Sequence, residues 1–356
     1  MTSSNQALVF VSGYAPADQP GIHACWFDTA AGALTPYATV AGILNPSYLA
    51  LHPNGRWLYA VSEASLGNDA AHGGACFVRF QKEPFAAELV NQQSTEGDHP
   101  CHLILDAAGR WLVVSNYSSG SVSVFPVGED GAVGAMSDLV QHHGHGAHSQ
   151  RQAGPHAHSA TLSPDGRYVV VADLGMDELI VYRLDAQRGK LDSHRHTSAR
   201  PGAGPRHVAF HPNGRVMYVA NELDSTVSVY DFEPTTGALT EQQALSTLPK
   251  ADPANTVADI HVSPDGRRVY VSNRGDNSIA VFAADADGCL SRVAIASCGG
   301  NWPRSFALSP DGRFMLVANQ YSNEVVVLPL QPGGAEVGDA IGRIPASGAS
   351  YVGFAP

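Results

Sequence analysis

The sequence predicts an all-β fold, a seven-bladed β-propeller, and three observations carry that prediction. A hairpin-shaped unit recurs along the chain at intervals of about fifty residues, long enough for four strands and their loops. Each copy alternates apolar and polar positions around a Gly-containing turn, the pattern of two half-buried strands joined tightly. The two ends of the chain hold complementary fragments of one further copy.

The best-formed copy is residues 204–232, GPRHVAFHPNGRVMYVANELDSTVSVYDF. It breaks at His211-Pro212-Asn213-Gly214 and again at 221–225, which reads as three short antiparallel strands with two turns. Other copies begin at Pro46, Pro100, His156, Val257 and Trp302, and Gly55, Gly109, Gly166, Gly214, Gly266 and Gly312 mark the turns. At the C-terminus, 349–354 resembles a first strand with nothing after it. At the N-terminus, 7–12 and 23–27 resemble later strands with nothing before them. Joined, they make the seventh blade, so the ring closes by pairing the N- and C-terminal strands, which removes the exposed edge of an open array. A single domain over 1–356 is the expectation.

Charged residues make up 15% of the chain, too few for a disordered or heavily solvated polymer. A formal net charge of -12 argues against binding to nucleic acid or to an anionic membrane. Any anion site is therefore a local cationic patch set against the global sign. The N-terminal stretch lacks a basic region followed by an apolar one, and no apolar run approaches membrane-spanning length. Cys25, Cys76, Cys101, Cys289 and Cys298 are scattered without CxxC spacing, which suits reduced thiols. A soluble cytoplasmic protein, a monomer or weak homo-oligomer, is expected.

Arg206 lies eight residues before Gly214 and Glu222 eight after it, so the hairpin sets them side by side at the end opposite the turn. The same count in every copy gives two rings of positions at one mouth of the central channel. Eight before the glycine stand Ser47, Cys101, His158, Arg206, Ala258 and Arg304, with Ser350 from the last strand. Eight after stand Glu63, Tyr117, Leu174, Glu222, Arg274 and Gln320, with Tyr14 from the first. Taken alone, Arg206 and Glu222 read first as an ion pair closing a hairpin, and His158 as a hydrogen-bonded strand residue. Three arginines, an acid and an imidazole converging on neighbouring blades point further, to a site for a small anion, since Arg suits the gripping of carboxylate or phosphate.

The His- and Gly-rich stretch 141–159 interrupts the rhythm just before an innermost strand, so it is expected over the same mouth. It reads as a rim that positions Arg151, His156 and His158 rather than as a metal site, because its histidines lack Cys, Asp or Glu at ligand spacing. An alternative places a metal in the channel with Glu63, Asn116, Asp173 and Asn273 as oxygen ligands. His52 and His211 flank turns at the far face and read as structural. A protein-interaction propeller is a further alternative, weakened by the absence of Trp-Asp dipeptides.

The motifs GPRHVAFHPNGR, VANELDSTVSVY, ADIHVSPDGRRVYVSNRGDNSIAVF and RQAGPHAHS resemble the seven-bladed propeller lactonase family. That family includes propeller-type 6-phosphogluconolactonases and 3-carboxy-cis,cis-muconate lactonizing enzymes, and the resemblance runs from the first strand to the last. It implies hydrolysis of a small anionic lactone, foremost 6-phosphogluconolactone of the pentose phosphate pathway, without metal or cofactor. Cycloisomerisation of a carboxymuconate and hydrolysis of an unphosphorylated sugar lactone are the alternatives it leaves. The catalytic residues it implies are His158 in PHAHS, Arg206 in GPRH, Glu222 in NEL and Arg274 in SNRG. Arg304 in WPRSF, His207 beside Arg206, and Arg151 and His156 of the His-rich stretch are expected to bind substrate.

Overall fold

The computed structural model describes residues 5–65, 73–81 and 86–355; the first four residues of the N-terminal stretch lie outside them. Among the described residues every regular element is a strand, and no helix is long and apolar enough to cross a membrane. Seven four-stranded antiparallel sheets follow one another along the chain. These are the seven blades of a β-propeller.

The repeated turns form as their residues dictate. Gly55, Gly109, Gly166, Gly214, Gly266 and Gly312 all have φ between 68° and 76°, a region open to glycine at little steric cost. In five of the six an Asn or Asp just before the glycine caps the turn: Arg56 N–H donates to Asn54 Oδ1 at 2.9 Å and Arg167 N–H to Asp165 Oδ1 at 3.1 Å. His52 and His211 prove structural. Their Nε2–H groups donate to the carbonyls of Gly109 and Gly266, one blade further on, at 3.0 and 3.1 Å. A Cβ on Gly109 would stand 2.2 Å from His52 Nε2, so glycine is required there for space as well as for φ.

Within a blade the second strand is the most buried. Tyr168–Asp173, Val216–Asn221 and Phe314–Asn319 are buried at every position, whereas the outermost strand Ala33–Val40 is mostly exposed. Seven apolar clusters fill the spaces between successive blades. One joins Val9, Val11 and Phe27 of the first blade to Phe314 and Leu316 of the last, which is the seam where the ring closes. There the C-terminal strand Ala349–Phe354 pairs with Gln6–Gly13, Val11 facing Val352.

The innermost hairpins carry a β-bulge at the mouth end. Register shifts between Pro100 and His102, Ala157 and Ser159, Pro205 and His207, and Pro303 and Ser305. The bulge sets two inner residues against one of the partner strand and re-aims them. Arg206, His158, Cys101 and Arg304 are the extra residues, and the bulge turns a structural hairpin into a holder for a functional side chain.

Val352 is 2% exposed at the closing seam. Val352→Ala is expected to lower stability by about 2 kcal/mol through the cavity it leaves, read as a urea midpoint shift at constant slope. A loss below about 0.5 kcal/mol would show that this strand does not carry the closure.

Candidate active site

With the blade that carries both chain ends counted as the first, the ring positions from blades 3 to 7 meet at one mouth, and their focus is the carboxylate of Glu222. Arg206 reaches it across its own hairpin, Nε to Oε2 at 3.1 Å. Arg274, from the next blade, reaches the same oxygen at 2.7 Å. Arg151, carried by the His-rich stretch, takes Oε1 at 2.5 Å and also donates to the Tyr117 hydroxyl at 3.4 Å. Arg206 and Arg274 are further held by the carbonyls of Ala258 and Val257 at 2.5 and 2.9 Å. Arg206, Arg274 and Glu222 are 2%, 5% and 5% exposed, so two guanidiniums and one carboxylate share a nearly dry site, which the partly exposed Arg151 meets from the rim.

Burial alone would raise the pKa of Glu222, but Arg274, Arg206 and Arg151 overcome it and hold the carboxyl down to about 2. Arg206 shows the opposite balance. Burial, then the neighbouring Arg274 and Arg304, lowers its pKa to about 9, leaving it charged at neutral pH. Burial, reinforced by Arg206, His207, Arg304 and Arg274, drives His158 well below the usual histidine range. His158 is a neutral imidazole at neutral pH.

Arg304 stands in the same field and lies over the Tyr14 ring at 5.3 Å. Burial works against its charge, yet Tyr14 and Glu63 keep its pKa raised. Among the described residues no carboxylate lies within ion-pair distance of it. Glu63 instead accepts from Tyr14 at 2.8 Å and from the Ser47 hydroxyl. Four guanidiniums thus face two carboxylates at the mouth.

His156 lines the rim. Its Nδ1–H donates to the Tyr117 carbonyl at 2.9 Å and its ring stacks on Tyr117 at 4.5 Å. The stretch that carries Arg151 and His156 is tied down by Gln152, whose amide donates to Leu174 O at 2.8 Å and to Asp177 Oδ1 at 2.6 Å. His142 is a buried strut between Asp173 at 2.6 Å and Tyr182 at 2.9 Å.

His207 occupies a different level from the other expected binding residues. It lies one layer toward the turn face, its ring 5.3 Å from that of His158, with Nδ1–H donating to Asp259 Oδ1 at 2.8 Å. Asp259 also meets His261 Nε2 at 3.2 Å. Burial would raise the carboxyl pKa, but His261 and His207 hold it well below the usual range. Tyr48, His102 and Tyr351 complete this layer, and Tyr48, Asp259 and Tyr351 line a cavity of about 370 Å³ that also reaches the turn residues Pro264 and Pro310. Sequence reading did not separate this layer, although a signal exists: each member directly follows a ring position.

The four-oxygen metal alternative fails on geometry. Asn116 bonds Ser121 and Ser123, Asp173 bonds His142 and the His156 N–H, and Asn273 bonds Thr247 and Ser278. Each lies one residue before a ring position and so faces into its own blade; Glu63 alone of the four reaches the mouth. Among the described residues no three His, Cys, Asp or Glu side chains converge as a metal site.

The family described as "Lactonase, 7-bladed beta-propeller" matches residues 8–354. The chain belongs to the seven-bladed β-propeller lactonase family. It is 37% identical over 299 residues to a 6-phosphogluconolactonase of Bacillus subtilis, covering 83% of each chain. A 6-phosphogluconolactonase of Formosa agariphila is 36% identical over 294 residues, covering 81% of this chain and 82% of the relative. The solved periplasmic gluconolactonase of Pseudomonas aeruginosa superposes with a TM-score of 0.93 at 34% identity, over 99% of both chains. Membership makes the chain an enzyme of the carboxylic-ester hydrolase class.

Glu222→Gln leaves the buried guanidiniums of Arg206 and Arg274, and the partly exposed one of Arg151, without their counter-charge. The expected loss of stability is about 3–5 kcal/mol, recovered in part by millimolar sulfate or phosphate occupying the vacated charge. Thermal unfolding with and without these anions checks it; an unchanged midpoint would show that Glu222 is not the centre of the cluster.

Proposed function

We propose that the chain hydrolyses an anionic sugar lactone, 6-phosphogluconolactone foremost, without a metal, in the pentose phosphate pathway. The observation that carries this is the excess of guanidinium over carboxylate at the mouth, with Arg304 lacking an acidic partner, in a protein of net charge -12. A substrate with a phosphate group supplies the missing negative charge, and a neutral lactone does not.

In this reading His158 is the general base. Glu222 is ionised but gripped by three guanidiniums with a pKa of about 2, which makes it a weak proton acceptor. Its part is to fix Arg206 and Arg274 in place. His158 is neutral, its pKa depressed first by burial and then by the arginines, and an arriving anion offsets the arginine part. It removes a proton from water as the water oxygen bonds to the lactone carbonyl carbon. Arg206 and Arg274 hold the oxyanion of the tetrahedral intermediate. When the bond to the ring oxygen breaks, His158 returns the proton to it, leaving a hydroxyl and a carboxylic acid that ionises. Arg304 and Arg151 bind the anionic substituent, and His156 lines its entrance.

The cytoplasm remains the compartment of this reading, supported by five free cysteines, four of them buried. The relative from Pseudomonas aeruginosa is named periplasmic, so cell fractionation decides between them.

Stopped-flow hydrolysis of 6-phosphogluconolactone and of gluconolactone, above the spontaneous rate and with and without EDTA, tests the proposal. Preference for the phosphorylated lactone with no effect of EDTA is expected. Equal turnover of the two would move the substrate to unphosphorylated lactones, and turnover of neither would reject both. Arg206→Ala should lower kcat about a hundredfold, the typical effect of losing one oxyanion donor, with the fold intact by circular dichroism.

The pH profile tests His158 as the base. The working form of His158 is unprotonated and its pKa is depressed, so kcat/KM should stay flat from pH 8 to 6.5 and fall only well below that. An acid limb at or above pH 6.5 would remove His158 from the role.

A further inference from the structure

Beside the cationic cluster the mouth carries a feature that the hydrolytic mechanism does not use. Trp302 has φ of +69°, a genuine outlier for so bulky a side chain. The same position, ten residues before the turn glycine or its counterpart, has positive φ in four other blades, at Asn45, His99, Gly204 and Gly348. Glycine, asparagine and histidine are the residues that tolerate this conformation. Tryptophan breaks the local rule, and a residue kept against its backbone preference is kept for its side chain.

The indole stacks on the ring of Tyr321 at 4.7 Å and 22°, and the guanidinium of Arg274 lies 5.6 Å from its centroid. Trp302 is half-buried, while Tyr321, 58% exposed, is the most exposed large hydrophobic residue of the described chain. The stack is a wall that begins at Arg274 and extends into solvent at the rim of the mouth. An exposed aromatic pair joined to a cationic site is matched by a ligand with a flat, apolar C–H face and an anionic group. A phosphorylated sugar ring has both, with its hydroxyls at the periphery.

We propose that Trp302 and Tyr321 form the platform on which the sugar ring of the lactone lies, so that ring recognition is separate from charge recognition by the arginines. This deepens the lactonase reading and rests on it for the identity of the ring. The wall supplies the same contact to phosphorylated and unphosphorylated lactones, because the ring is common to both.

Two variants test it. Trp302→Gly removes the indole and installs a residue that other blades use at this φ, so its melting temperature should not fall below that of the parent. Tyr321→Ala removes the outer half of the stack and leaves the Trp302–Arg274 contact. Each should raise KM roughly five- to tenfold by the same factor for 6-phosphogluconolactone and gluconolactone, with kcat nearly unchanged. If the tryptophan served only to position Arg274, Trp302→Gly would lower kcat on both lactones and Tyr321→Ala would do nothing; that result overturns the platform. An unchanged KM in both variants, or a loss confined to the phosphorylated substrate, also overturns it. Calorimetric titration with glucose 6-phosphate, a ring that cannot be hydrolysed, separates the two readings. Binding weakened by both variants in a protein that hydrolyses neither lactone would leave the platform standing and remove the lactonase reading; binding indifferent to both would remove the platform.

Discussion

A carboxylate buried among three guanidiniums exists only as a set, and the mouth of this propeller is arranged around that fact. Glu222 reaches Arg206 in its own hairpin, Arg274 in the next blade and Arg151 in the stretch between blades 3 and 4. Removing the acid leaves Arg206 and Arg274 charged in a dry place, where an uncompensated group is costly. The acid therefore ties three separate segments of chain to one point. It also keeps like-charged arginines together, which their mutual repulsion opposes. The cationic excess that remains is what a bound anion meets.

The blade count and the closing seam were legible because glycine turns repeat and hairpins are symmetrical about them. The Arg206–Glu222 contact was legible for the same reason, with one hidden step. Pro205 faces Asn221 and His207 faces Ala220, so Arg206 is an extra residue that plain alternation would misplace. Counting from the turn happened to absorb the bulge. Asn116, Asp173 and Asn273 show where counting without direction fails: one residue short of the ring position, they face into the blade and fasten neighbouring strands.

What the sequence hid depends on contacts between distant segments. Arg151 reaches Glu222 because Gln152 is pinned by Asp177 and Leu174 of the next blade, and no spacing within 141–159 encodes that. The layer of Tyr48, His102, His207, Asp259 and Tyr351 gathers residues from five blades, each unremarkable in its own strand. Trp302 is hidden for the opposite reason, since its conformation contradicts its residue type. Local preference and global fold disagree there, so residue type alone does not announce the position.

The seam between the chain ends also sets an order of events at the ribosome. The strand Gln6–Gly13 is made long before the partner that covers its channel-facing edge, Ala349–Phe354. At translation rates of about 5–20 residues per second, that edge waits roughly fifteen seconds to a minute for its partner. Its backbone donors and acceptors are open to other strands throughout that interval. The nascent ring is thus open to wrong pairing in its earliest blade, which is completed only after all the others.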